Sequence, residues 1–209
     1  MATTIQIGQL EHNCSIYGPL QRTVVWTQGC TLGCKGCWNQ DLWTSLGGIS
    51  ILVADIVQGA IKAGDEGLTI LGGEPLQQSQ ATLALIQEAQ KQELGVFLYT
   101  GYDFEELEGD ALKCYEASAI VVTGRFIEAE RNTDLRWRGS SNQTVKFQTD
   151  RYKEFEFMEG NDVQITIEED GSLTVLGYPD EALLNDLLDK ELSVDARGRI
   201  GPSSPPSSE

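Results

Sequence analysis

The stretch TVVWTQGCTLGCKGC (residues 23–37) joins an apolar run to a loop of glycines and cysteines. Its first five residues are β-branched or aromatic, which is typical of a β-strand. Three thiols follow within eight residues, at Cys30, Cys34 and Cys37. We therefore expect a strand whose carboxyl end delivers three thiols to one compact centre.

Downstream of this loop, short apolar runs alternate with stretches of helical periodicity. Such alternation is typical of βαβ units with a parallel sheet, and strands that are apolar throughout indicate helices on both faces. Because the chain is too short for eight such units, we predict an α/β fold, a partial (βα) barrel with a mostly parallel sheet. Its strands are predicted at 68–71, 96–100 and 119–123, and its helices at 49–61 with Ser50 as N-cap, at 79–93 ended by Gly95, and at 104–115.

The pattern changes after about Asp150. Two strand-like runs flank the turn signal Asp170-Gly171, which predicts an antiparallel hairpin. A leucine-rich helix is expected from Asp180 to about Leu192, and the serine- and proline-rich end is typical of disorder. The predicted parts are a core over 1–150, an extension over 151–195 with the hairpin (163–167 and 173–176) and the helix, and a disordered tail over 196–209.

Charge and cysteine usage narrow the function classes. The formal net charge of -17 repels phosphate backbones and anionic membranes, so we expect neither nucleic-acid nor membrane binding. No apolar stretch approaches the roughly 20 residues of a transmembrane helix, and the N-terminus lacks a secretory signal. We expect a cytoplasmic protein, where clustered thiols bind metal or perform redox chemistry. The two isolated thiols, Cys14 and Cys114, are interpreted as ordinary ones.

The three clustered thiols admit more than one metal centre. Zinc usually takes four protein ligands, and His12, the only histidine, is the candidate for completing a Cys3His site. Three thiolates fit a [4Fe-4S] cube better, because one iron is then left open for a substrate. An electron-carrier ferredoxin would normally supply a fourth cysteine nearby.

The segment CTLGCKGCWNQDLW (30–43) resembles the CxxxCxxC loop of the radical S-adenosylmethionine (SAM) superfamily. It is most similar to the loop of the proteins that activate glycyl-radical enzymes, with the activating protein of anaerobic ribonucleotide reductase closest. The resemblance extends over about residues 14–150. Its further motifs are LGGEP (71–75), YTGY (99–102), VTGRF (122–126) and RGSSNQ (138–143).

The resemblance implies two cofactors, a [4Fe-4S] cluster on the three clustered cysteines and SAM beside it. Other interpretations remain open, namely a carboxylate at a helix start for Glu74, a surface position for Arg125, a polar turn for the RGSSNQ segment and a core position for Trp38. Two departures from the family are Thr123, where Asp is frequent, and Leu20, where Gly is frequent. The implied cofactor-binding residues are Trp38, Gly72, Gly73, Glu74, Thr123, Arg125, Arg138, Ser140 and Asn142.

The resemblance implies an enzyme that cleaves SAM reductively and forms a 5′-deoxyadenosyl radical. The radical would generate a glycyl radical on a partner enzyme, with a flavodoxin- or ferredoxin-type protein as electron donor. Two alternatives stay open. One is an enzyme that acts directly on a small molecule, similar to 7-carboxy-7-deazaguanine synthase, and the other is a non-enzymatic iron–sulfur electron-transfer module.

Overall fold

A computed structural model describes residues 2–156, 160, 162–167, 173–177, 183, 192–194 and 199–202. The chain divides into two units, Met1–Gly160 and Asn161–Glu209. The boundary therefore lies later than the predicted one near Asp150. The reason is that the segment Asp150–Phe155 belongs to the larger unit, in whose core Tyr152 is buried.

The described part of the larger unit contains strands, α-helices and short 3₁₀ turns. The strands are β1 Thr4–Cys14, β2 Arg22–Thr27, β3 Ile49–Leu52, β4 Gly67–Gly72, β5 Gly95–Tyr99, β6 Ile120–Thr123 and β7 Thr144–Phe147. The α-helices are α1 Val53–Ala63, α2 Ser79–Lys91 and α3 Gly109–Ala117. The 3₁₀ turns are Gln40–Leu42, Pro75–Gln78, Phe104–Glu106, Glu128–Glu130 and Asp150–Phe155.

One mixed sheet contains these strands in the order β3-β1-β2-β4-β5-β6-β7. Its four central strands, β2, β4, β5 and β6, are parallel, whereas β1, β3 and β7 are antiparallel to their neighbours. The α/β class is confirmed. The pairing runs in one line from β3 to β7 across the described strands, so closure into a partial barrel stays a prediction.

The start of the chain departs from the sequence-based expectation. The prediction of a helix is wrong for residues 49–52. They form β3, because they pair antiparallel with residues 4–7 of β1. Helix α1 begins only at Val53, with Leu52 rather than Ser50 as its N-cap. The strand β1 was not predicted, although the alternation of buried Ile5 and Ile7 with polar residues is a strand signal.

Two helix ends also differ from the prediction. Helix α2 ends at Lys91, and Glu93 rather than Gly95 takes the left-handed conformation, with φ of 58°. Gly95 instead begins β5. Helix α3 begins at Gly109, because a separate 3₁₀ turn takes up the first part of the segment predicted as helical.

The three α-helices pack against one face of the sheet. Leu98 lies in the core cluster to which all three helices contribute, while its neighbour Phe97 lies in a second cluster with Tyr152. Since successive strand residues point to opposite faces, Phe97 lies on the second face. Among the described residues, the groups that pack there come from the Asp150–Phe155 turn and the loop at Trp137, rather than from the predicted helices. In the described part of the chain, every helix is too short or too polar to cross a membrane.

The smaller unit contains an antiparallel sheet with the strand order β10-β11-β9-β8. The predicted hairpin is confirmed by the pairing of β8 with β9. Arg199–Pro202 forms β11, so this stretch is not part of a disordered tail. The turn Asp170-Gly171 lies outside the described residues. The predicted helix also lies outside them, apart from Leu183 and Leu192. The strands are β8 Val163–Ile167, β9 Leu173–Gly177, β10 Leu192–Val194 and β11 Arg199–Pro202.

A fully buried cation links the amino ends of three of the four central strands. The guanidinium of Arg22, at the start of β2, donates at 2.7 Å to the carbonyls of Leu68 and Gly95 and at 2.8 Å to the hydroxyl of Thr69. Burial lowers the pKa of Arg22. Buried charge is costly unless hydrogen-bonded, so these acceptors make the arginine a cross-link between β2, β4 and β5.

Replacement of Arg22 by methionine tests this cross-link. Arg22→Met leaves buried carbonyls without their donors, and we expect the free energy of unfolding to fall by about 3 kcal/mol. Urea denaturation of the metal-free protein measures it. The control Lys62→Met, at an exposed position of α1, should change stability by less than about 1 kcal/mol. Equal effects of the two substitutions would contradict the cross-link.

Candidate metal centre

The three clustered cysteines lie beyond the carboxyl end of β2. Parallel strands bring their carboxyl ends to one edge of a sheet, where ligands bind in α/β folds. The same edge carries residues 72–74 after β4, 100–102 after β5 and 123–125 after β6. The topology therefore brings together the segments that the sequence motifs singled out.

Backbone contacts fold the cysteine loop back on itself. The amide of Cys30 donates to the carbonyl of Trp43 at 3.0 Å, and the amide of Cys37 donates to the carbonyl of Cys34 at 3.1 Å. Gly36 has φ of +73°, and a Cβ there would lie 2.8 Å from a carboxylate oxygen of Glu128. A larger residue at position 36 would therefore be strained by the left-handed backbone, and the Glu128 side chain would have to move aside.

The three thiols are accessible. All are free and partly exposed. Burial raises the pKa of the Cys30 and Cys34 thiols, and backbone N–H groups of Leu32 and Phe126 that hydrogen-bond to these sulfurs oppose the rise. Amide donors of this kind stabilise a thiolate and tune the potential of an iron–sulfur cluster.

The donor set fits an iron–sulfur cube better than zinc. The ring of His12 lies 2.8 Å from the hydroxyl of Thr23 and 3.7 Å from Asp65, at the amino ends of β2 and β4. It thus lies at the opposite edge of the sheet from the cysteines, and the Cys3His alternative is wrong. Among the described residues, no three His, Cys, Asp or Glu side chains converge on one metal position. In a cube each thiolate binds a different iron, so such convergence is not required.

The glycine turn after β4 lies directly against the cysteine loop. The amides of Gly73 and Glu74 donate to the carbonyls of Thr27 and Gly29 at 2.8 and 2.9 Å. A Cβ on Gly73 would lie 2.4 Å from the carbonyl oxygen of Gly29. Only glycine can occupy position 73, because the two backbones approach so closely there. Contact of Gly72 and Gly73 with SAM stays a prediction.

Glu74 is a buried carboxylate that joins two strand ends. It accepts hydrogen bonds from the amide of Leu76 at 2.9 Å, the hydroxyl of Thr100 at 2.8 Å and the amide of Gly101 at 2.8 Å. Burial raises its pKa to about 7, although these donors act in the opposite direction. Glu74 also caps the Pro75–Gln78 turn, as the helix-start interpretation proposed. Contact with SAM stays a prediction.

Arg125 is held by a carboxylate beside the site. Its guanidinium donates twice to Glu106, at 2.6 and 2.8 Å, and this pairing lowers the pKa of Glu106 to about 2. Arg125 also contributes an electrostatic interaction to Cys34. Thr123 ends β6, where it pairs with Thr144. The geometry leaves their predicted SAM contacts as predictions.

The RGSSNQ turn supports the backbone that follows β6. Ser140 is fully buried. Hydrogen bonds connect this turn to backbone groups of Gly124, Arg125 and Ile127, and another lies within the turn. They run from the amide of Ile127 to the Ser140 hydroxyl (3.2 Å), from Asn142 to the Arg125 carbonyl (2.8 Å), from Gln143 to the Gly124 carbonyl (2.9 Å) and from Arg138 to the Gln143 carbonyl (3.4 Å).

This support extends to the metal centre. The backbone held by the turn includes Phe126, whose amide hydrogen-bonds to the sulfur of Cys34. Ser140 and Asn142 thus hold the segment that lies next to the cysteine loop. Their predicted contact with a cofactor stays a prediction.

Trp38 lies on the surface of the loop. It is 54% exposed, and the guanidinium of Arg131 lies 5.6 Å from the centre of its ring. The core interpretation of Trp38 is therefore wrong. An ion pair of 2.9 Å between Lys35 and Glu128 makes a second link between the same two segments.

Sequence reasoning missed residues that complete this edge. Thr100 donates to Glu74, and Gln77 reaches the cysteine loop. Their position inside or next to the YTGY and LGGEP motifs was the available signal. Their contacts join distant segments, however, and no local pattern predicts them.

Comparison with known proteins identifies relatives. Residues 16–146 match the model of a family described as "4Fe-4S single cluster domain". An anaerobic ribonucleoside-triphosphate reductase-activating protein of Vibrio cholerae is 30% identical over 141 residues, covering 62% of this chain and 90% of that protein. The protein of the same name from enterobacteria phage T4 is 30% identical over 142 residues, covering 65% and 89%.

A further relative of that name, from Escherichia coli K12, is 29% identical over 141 residues, with coverage of 62% and 90%. Among solved structures, QueE from Escherichia coli is 17% identical, covers 47% of this chain and 52% of that one, and gives a TM-score of 0.41. A likeness this distant carries no argument about fold or function.

The pH dependence of stability should reveal Glu74. The pKa of this carboxyl rises from 4.5 to about 7 on folding, so its contribution to stability is fully present below about pH 4.5 and is lost as the pH rises through 7. The loss is up to about 3 kcal/mol. We expect the Tm of the metal-free wild-type protein to fall by several degrees between pH 5 and pH 8, and by less in Glu74→Gln.

The matched control is Glu116→Gln, at an exposed position of α3, which should retain the wild-type fall in Tm. Thermal unfolding followed by circular dichroism measures all three proteins. The same pH profile in wild type and Glu74→Gln would show that another group is responsible.

Proposed function

The chain belongs to the 4Fe-4S single cluster domain family, and from this premise we propose that it is a radical SAM activase. In this proposal Cys30, Cys34 and Cys37 hold a [4Fe-4S] cluster at which SAM is cleaved reductively. The cofactors supply one-electron chemistry and a 5′-deoxyadenosyl radical, which generates a glycyl radical on a partner enzyme such as anaerobic ribonucleotide reductase.

The observation that carries the proposal is the contact between the cysteine loop and the glycine turn. The amide of Glu74 donates to the carbonyl of Gly29, the residue before the first cysteine. The contact supports a site in which the loop that carries the thiols adjoins the glycine turn. A cofactor that must touch both a metal and a polar backbone finds both within one edge of the sheet.

In this proposal the side chains of the site hold and orient the cofactors. Gly72, Gly73 and Glu74 present polar groups to the amine of SAM, and Thr123 and Arg125 approach it from the end of β6. Ser140 and Asn142 hold the backbone whose amide reaches the sulfur of Cys34, and Arg138 braces the same turn through the Gln143 carbonyl. Trp38 shields the outer side of the loop.

The proposed partners follow from the relatives, which are named as activating proteins of anaerobic ribonucleoside-triphosphate reductase. We propose a glycyl-radical enzyme of this kind as protein substrate and a flavodoxin- or ferredoxin-type protein as electron donor. The cytoplasm is the proposed location, because exposed clustered thiols need a reducing compartment. An incomplete (βα) barrel, open on one side, would admit a protein substrate.

Loss of one thiol should abolish the chemistry. Anaerobic, iron-reconstituted wild-type protein with dithionite and SAM should produce 5′-deoxyadenosine, and Cys34→Ala should show neither the brown chromophore nor this product, because one iron loses its ligand. Cys114→Ser should retain both, since a hydroxyl can replace the thiol that lies 3.4 Å from the Ser79 carbonyl. Full cleavage by Cys34→Ala would overturn the ligand assignment.

The partner assignment has its own test. Incubated anaerobically with reductant, SAM and an anaerobic ribonucleoside-triphosphate reductase, the protein should produce an organic radical on that enzyme, detected by electron paramagnetic resonance. Without SAM the signal should be absent. Formation of 5′-deoxyadenosine with no radical on the enzyme would refute the partner and leave the cluster chemistry in place.

A further inference from the structure

Gln77 reaches from the turn after the LGGEP motif to the cysteine loop. Its amide oxygen accepts a hydrogen bond from the backbone amide of Thr31 at 3.1 Å. Its amide nitrogen donates to the hydroxyl of Thr31 at 2.8 Å and to the hydroxyl of Tyr102 at 3.1 Å. One side chain therefore joins three segments, the cysteine loop, the turn after β4 and the end of β5.

The chemistry of a primary amide suits this position. It combines an acceptor and two donors in one plane, so it can satisfy both the backbone and the side chain of a single residue. Thr31 directly follows Cys30 in the chain. Holding both polar groups of Thr31 therefore fixes the direction in which the backbone leaves the first cysteine.

The neighbouring glutamine fastens the other side of the same cysteine. Gln78 donates to the carbonyls of Gln6 and Gln28, at 2.9 and 3.0 Å. Gln28 lies two residues before Cys30, and Thr31 lies one residue after it. The two adjacent amides thus bracket Cys30, although only that of Gln77 touches the arc between Cys30 and Cys34.

We propose that Gln77 is a positioning residue that clamps the arc Cys30–Cys34 in the geometry needed by its metal centre. The metal in this statement rests on the proposed function. The clamp itself is a property of the chain without metal, because all its hydrogen bonds are between protein groups. Gln77 thereby determines how firmly a cluster is retained, without touching the cluster itself.

Hydrogen–deuterium exchange of the metal-free protein tests the clamp directly. Gln77→Met keeps the length of the side chain and loses its polar groups. Exchange of the Thr31 amide should then be about tenfold faster, because one or two exposed hydrogen bonds are lost. Gln77→Glu should restore slow exchange, because its oxygens can accept from the Thr31 amide and from both hydroxyls.

A matched control is Gln90→Met. Gln90 is also an exposed glutamine with one bond to a backbone carbonyl, that of Ala117 at 2.9 Å. It should leave the exchange of Thr31 at the wild-type rate. An unchanged rate in Gln77→Met would overturn the clamp, whatever the protein does with SAM.

The second measurement is retention of the cluster. After anaerobic reconstitution, a chelator is added and the decay of the visible absorption is followed. Gln77→Met should lose its chromophore about tenfold faster than wild type, whereas Gln77→Glu and Gln90→Met should lose it at the wild-type rate. All four proteins should have a similar Tm. Equal decay in Gln77→Met and wild type would overturn the role in retention. A wild-type protein that retains the cluster but yields no 5′-deoxyadenosine would refute the proposed function alone. One that assembles no cluster would refute the proposed function and the role of Gln77 in retention, while the exchange measurement alone decides the clamp.

Discussion

The cysteine loop and the glycine turn approach each other so closely that no side chain fits between them. A Cβ on Gly73 would lie 2.4 Å from the Gly29 carbonyl oxygen, and one on Gly72 would lie 2.5 Å from the Thr27 amide nitrogen. Because no side chain intervenes, backbone groups of the cysteine loop and of the turn after β4 continue to hydrogen-bond beyond the end of the β2–β4 ladder. The position of the first thiol, and through it that of the whole loop, depends on this contact.

Two buried charges secure the sheet that carries the contact. At the carboxyl edge, the carboxylate of Glu74 accepts from Thr100 and Gly101 and so joins β4 to β5. At the amino edge, the guanidinium of Arg22 joins β2 to β4 and β5. Burying either charge costs free energy, which its hydrogen-bond partners offset only when the strands are correctly placed. The two charges therefore favour one arrangement of the central strands over its alternatives.

A second layer of polar side chains supports the loop from outside. Ser140 and Asn142 hold the backbone next to Cys34, while Gln77 holds the residue after Cys30. Ser140 and Asn142 were singled out only through the resemblance of the RGSSNQ segment, and Gln77 was not singled out, since serine, asparagine and glutamine are common in any polar turn. The central strands were predictable, in contrast, because their short apolar runs are rich in β-branched or aromatic residues and end near glycines, which is typical of buried strands. Strand β3 was not, because its residues also fit a helical period.

The sequence by itself determined the cluster of three thiols and the class of the fold. Thiol spacing within eight residues confines three sulfurs to one region whatever surrounds them, and apolar runs alternating with helical patterns specify a parallel sheet core. Only the tertiary structure decided which groups meet. The hydrogen bond from Thr100 to Glu74 spans 26 residues and that from Gln77 to Thr31 spans 46, and such pairs come together only when neighbouring strands fix their ends at one edge. For the same reason, residues 49–52 form a strand, since the ladder offered by residues 4–7 is invisible to local periodicity.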